Sequence, residues 1–89
     1  MTDYIQIHFN LTDDQYNRLT TQQKSILDYI AALGSITPMD AFSVLHITKL
    51  ATRISEMKAI GIQFDQVYES RKNGEGKSIR YMRYRKAAA

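Results

Sequence analysis

Thr37 to Gly61, TPMDAFSVLHITKLATRISEMKAIG, is the stretch whose reading decides the fold. Thr37 can accept a hydrogen bond from an orphan amide of a first helical turn, Pro38 has no amide to leave unpaired there, and Asp40 puts negative charge at the positive end of the helix dipole. A helix therefore begins at Pro38. Ala41, Phe42 and Leu45 recur at the three-and-four spacing of one buried stripe, which carries the helix as far as Leu45. His46, Ile47 and Thr48 break it. Thr48 reads as a second cap, and in the helix behind it Leu50, Ile54 and Met57 share a face with Ala51 on its flank, until Gly61 supplies a left-handed stop. A small residue at Ala41, an apolar turn residue at Ile47 and apolar contacts at Ala51 and Ile54 are what two helices crossing at close range need.

Two helices joined this way form a helix-turn-helix unit, whose second helix can lie in the major groove of DNA. The opposite face of that second helix carries Thr48, Lys49, Thr52 and Glu56, with Arg53 and Ser55 at its edges. Short polar side chains near its start permit close approach to base edges, and Lys49 and Arg53 can reach guanines or phosphates. Any surface helix has a polar face, so this face alone does not choose between readout and plain solvation.

Working outward, Thr20 and Gln23 form a capping box before a helix from Thr21 to Leu33, and Gly34 ends it. Ile26, Ile30 and Leu33 lie along one face with Leu27 beside them, making this helix scaffold. Ile36 sits in the three residues before the next cap, room for a minimal strand. After Gly61 the pattern turns extended: Ile62-Gln63-Phe64, then Val67-Tyr68 after a bulge at Asp65-Gln66. Arg71 to Lys77, RKNGEGK, is a turn by its Asn-Gly pair and its second glycine, and Ile79 to Arg85 returns as the partner strand. Arg71, Lys72 and Lys77 flank the turn and Arg80 rides on the strand, suited to phosphates, although edge strands also carry cations merely to prevent aggregation. Tyr81 reads as core, while Tyr84 is open between packing and stacking on bases.

The segments QKSILDYIAALGSITPMDA, LHITKLATRISEMKAIGI, NGEGK and IRYMRYR together resemble the small winged helix-turn-helix domains found often in phage and prophage proteins, over Gln22 to Lys86. The resemblance implies an α+β winged helix-turn-helix: a three-helix core plus a C-terminal β-hairpin wing, spanning 20–86. It further implies a double-stranded DNA-binding protein, a phage-derived transcriptional regulator or an accessory of phage DNA metabolism. Its recognition helix, 48–58, would enter the major groove through Thr48, Lys49, Thr52 and Arg53. Its wing, 71–80, would lie on the backbone through Arg71, Lys72, Lys77 and Arg80. One departure stands out: His46 occupies the turn position where the family usually has glycine, and histidine is among the residues that best tolerate a left-handed backbone.

At the start of the chain, Tyr4 to Phe9 alternates, so Ile5, Ile7 and Phe9 read as one side of a half-buried strand. Thr12 and Gln15 resemble a capping box, predicting a short helix between Leu11 and Leu19. Residues 1–19 thus read as a strand-and-helix appendage for packing, for a second copy in a homodimer or for another protein. Ala87-Ala88-Ala89 reads as a cloning remnant. The 89 residues, 44% apolar, suit one compact domain. Without cysteine there are no disulfides or thiolate metal sites, and with no membrane-length apolar run or signal-peptide start the expectation is a soluble cytoplasmic protein.

The net charge of +3 is unevenly spread: Met1 to Gly34 holds two basic and four acidic residues, −2, and the rest ten and five, +5. A basic half points to a polyanion. Chemistry has no foothold: His8 and His46 are isolated, Asp13-Asp14 is a helix-start pair, and NGEGK lacks the glycine-to-lysine spacing of a phosphate-binding loop. No enzyme activity, metal, cofactor or small-molecule substrate is expected. The rival reading is a winged-helix protein-docking module, since the acidic first half and Glu56 on the DNA-assigned face both suit a protein partner. RNA binding ranks behind both, because no RNA-binding motif is present.

Overall fold

The computed structural model describes residues 4–87, so Met1 to Asp3 of the expected appendage and the last two alanines of the expected tail lie outside the described residues. Five helices precede one hairpin: α1 (Tyr4–His8), α2 (Asp13–Asn17), α3 (Thr21–Leu33), α4 (Pro38–Leu45), α5 (Leu50–Ile60), β1 (Phe64–Lys72) and β2 (Ser78–Lys86). The architecture is α+β, with helices gathered at the base of an antiparallel hairpin.

The centre of the core is Ile26, Leu27 and Ile30 from α3, Ile54 and Met57 from α5, and Ile36 from the link between α3 and α4. Ile36 exchanges both backbone hydrogen bonds with Tyr84 of β2, at 2.8 and 2.9 Å, so the expected minimal strand forms and moors the hairpin to the helices. Tyr84 is buried with it, resolving that tyrosine as packing.

The N-terminal segment corrects the alternating reading. Tyr4–His8 is a helix, with Ile5 and Phe9, one helical turn apart, in the core and Ile7 66% exposed. An apolar residue at every second position also contains an i, i+4 pair, and packing of α1 against α3 uses that pair. Three further residues fail on facing. Phe42, placed in the buried stripe of α4, is 57% exposed, because α4 meets its neighbours through Ala41 and Leu45, with Ile47 of the turn beside them. Leu33 and Ala51 also face outward, so the crossing of α4 and α5 rests on Ala41, Ile47, Leu50 and Ile54.

Local signals decide most element ends. Thr12, Thr20 and Thr37 each close a full capping box, with Gln15, Gln23 and Asp40 respectively. Gly34 and Gly61 end α3 and α5 in the left-handed conformation, and His46 does the same for α4 at φ 57°. The hairpin ladder runs unbroken from the Phe64–Lys86 pair to the Lys72–Ser78 pair, so there is no bulge at Asp65-Gln66. The tip is braced by Asn73, whose Oδ1 accepts from the Glu75 and Lys77 amides at 2.9 and 3.0 Å, while Gly76 takes the left-handed position.

Candidate nucleic-acid interface

The helix-turn-helix pair presents α5 outward along one side. Its inner stripe, Leu50, Ile54 and Met57, is buried; its outward residues include Ala51, Thr52, Ser55 and Ala59, all short, with Lys49 before the first turn and Lys58 near the last. Short side chains let a helix backbone come close to base edges. Sequence reasoning placed Ala51 inward and passed over Lys58; the Leu50, Ile54, Met57 spacing, taken strictly, leaves both on the open side.

The start of α5 differs from expectation. Thr48 is exposed in a bend and makes no cap; Lys49 holds the N-cap position, with no side-chain capping bond. The helix expected over 48–58 therefore spans Leu50–Ile60, and Thr48 and Lys49 sit on the turn that leads into it. Their side chains stay exposed, beside amides left open at the helix N-terminus.

Arg53 is held rather than free. Its guanidinium lies 3.4 Å from Glu56 Oε1, its side chain is 27% exposed, and the same carboxylate oxygen accepts from Gln23 Nε2 at 3.0 Å. Gln23 is buried, its Oε1 accepting from the Thr20 amide in the capping box. Gln15 works in parallel: its Oε1 accepts from the Thr12 amide and its Nε2 donates to the Ile60 carbonyl at 3.3 Å. Each capping-box glutamine thus fixes its own helix start with one end and α5 with the other.

On the hairpin, Arg71, Lys72, Lys77 and Arg80 are all exposed. Arg80 lies over the Tyr68 ring, 6.0 Å from its centroid, and the other three have open side chains around the tip. Arg83 is committed to structure: its Nε donates to Glu69 at 2.9 Å and a terminal nitrogen donates to Ser35 Oγ at 2.8 Å, tying the hairpin to the α3–α4 link. That hydrogen bond, with the neighbouring charge, holds the Glu69 carboxyl below the usual carboxylate range and lifts the Arg83 guanidinium further. Burial pushes the Tyr84 hydroxyl up, and burial with the nearby Asp40 carboxylate does the same for Tyr29.

The arrangement brings Thr48, Lys49, Thr52 and Arg53 together on one helix start and puts the four hairpin cations on a separate projection. Among the described residues no helix is long and apolar enough to cross a membrane, and no cluster of His, Asp and Glu could hold a metal.

A helix-turn-helix pair followed by a hairpin moored to the link before it defines the winged class of DNA-binding domain. The family described as "Winged helix-turn-helix domain" matches residues 21–86, and the chain belongs to that family. Membership implies DNA binding by a module that is typically not an enzyme. No curated protein and no solved structure matches the chain.

Proposed function

We propose that the protein binds double-stranded DNA as a phage-derived transcriptional regulator or DNA-metabolism accessory in the host-cell cytoplasm, without catalytic chemistry of its own. The start of α5 enters the major groove, with Thr48, Lys49, Thr52 and Arg53 at base edges or the adjacent phosphates. The hairpin lies along the backbone through Arg71, Lys72, Lys77 and Arg80. The observation that carries this reading is the outward face of α5: short side chains between two lysines, on a helix whose other face is fixed in the core.

A second reading keeps a protein partner, and a specific observation favours it. Tyr4 and Ile7 on α1 are more than half exposed, so α1 offers apolar side chains to a second copy or another protein. Fluorescence anisotropy against random-sequence duplex at low and moderate salt tests the first reading, with Arg53→Ala and Lys72→Ala alongside. Micromolar, salt-steep binding that both substitutions weaken supports it. Absence of binding at low salt sinks it and leaves the protein-docking reading.

A further inference from the structure

One edge of the hairpin has open backbone groups to which the DNA reading assigns no role. Tyr84 points its amide and carbonyl away from β1, at Ile36, while Asn73 and Lys77 bond across the ladder. Backbone direction alternates along a strand, so Ser78, Arg80 and Met82 of β2 also point outward. The chain that pairs with Tyr84 turns into α4 at Pro38, and among the described residues no strand continues along β2. Beside this edge runs a groove of about 380 Å³, walled by the first turn of α4 and the outer face of the hairpin. Its apolar lining is Met39, 62% exposed, with Ile79 and Tyr81; Asp40, Arg71 and Arg83 are its charged lining.

We propose that the Ser78 to Met82 edge of β2 is a strand-addition site for an extended acidic segment of a partner protein, its apolar side chains seated over Met39, Ile79 and Tyr81 and its carboxylates on the opposite face, against Arg80. Charge selects this occupant. β2 carries Arg80, Arg83, Arg85 and Lys86 and no carboxylate, so pairing with β2 of a second copy would stack like charges along one short ladder. An alternating acidic and apolar strand satisfies the open backbone groups, covers the groove and neutralises the edge together. Among the described residues no further strand adds to β1 either; the groove and the one-signed charge single out β2. Arg80 is shared with the surface proposed for DNA, and the duplex arm of the test separates the two occupants.

The test uses the full ¹⁵N-labelled chain and a synthetic decapeptide alternating valine with glutamate, with a valine–lysine peptide as control. The expected result is that the acidic peptide slows amide exchange at Arg80 and Met82 by on the order of tenfold or more, and the control does not. Arg80→Ala weakens binding severalfold through charge. Arg80→Pro removes an outward amide while sparing the hairpin ladder, and weakens it by about a further tenfold, with an otherwise native amide spectrum. Equal protection by both peptides, or equal binding by the two variants, overturns the proposal. So does protection that appears with rising protein concentration alone, which would make a second copy the occupant. Protection by duplex DNA but not by the acidic peptide likewise overturns it and makes the edge a phosphate-facing surface.

Discussion

The two surfaces assigned to DNA are held in opposite ways. Helix α5 is fixed by a buried stripe, by Gln15 at its end and by Gln23 through Glu56. The hairpin tip, from Arg71 to Arg80, is held by its own ladder and by Asn73. The difference separates two tasks: base readout requires side chains placed to within fractions of an ångström, whereas attraction to phosphates tolerates movement. In the proposed function, a fixed helix and a self-supporting hairpin would divide those tasks between them.

The strongest way to break this comparison is Ile54→Ala. Ile54 is 1% exposed at the centre of the core, and its truncation should cost about 2–5 kcal/mol, seen as a much lower melting temperature. A near-neutral result would mean that α5 is not anchored as described. Replacing both Lys72 and Lys77 by alanine should leave melting unchanged and lower the salt dependence of duplex binding by about two units of slope. An unaltered slope removes the hairpin from the interface.

Glu56 sharpens the comparison further, as a carboxylate on the outward helix that also restrains Arg53. Glu56→Gln keeps an acceptor for Gln23 and removes one negative charge. Duplex affinity should rise by about threefold, the size expected of a single partly exposed charge. A fall in affinity would show that Arg53 works only when Glu56 holds it in place.

How much of this was legible depends on how far each signal reaches along the chain. Capping boxes, glycine stops and the asparagine turn act within about four residues, and the sequence displays them directly. His46 belongs with them: the turn demanded a left-handed residue, and the chain supplies one at φ 57°. His46→Gly should preserve the fold and raise stability modestly, by about 0.5 kcal/mol, since relief of strain is partly offset by a more flexible unfolded chain. A clear loss of melting temperature would give the imidazole a structural role. Two local readings failed, the Thr48 cap and the bulge at Asp65-Gln66, and the other failures were of facing. Tyr4 to Phe9 fits both periods over so short a run, and Phe42 and Leu33 could be placed only by knowing which elements lie opposite. The Gln23–Glu56 bond joins residues 33 apart, beyond any local pattern.

The smallest effect belongs to the joint between the two regions. Glu69 is held below the usual carboxylate range by its hydrogen bond from Arg83, which also grips Ser35 and so links the hairpin to the helices. A carboxyl whose folded value is depressed contributes stability above its unfolded value and loses it as pH falls through the folded one. The melting temperature of the native chain should therefore exceed that of Glu69→Gln near neutral pH, by a small margin because the pair is partly solvated. The gap should close in acid, below the depressed value. A gap that persists unchanged there would assign the effect of the substitution to packing, and the hairpin would then be moored by the Ile36–Tyr84 bridge without help from this ion pair.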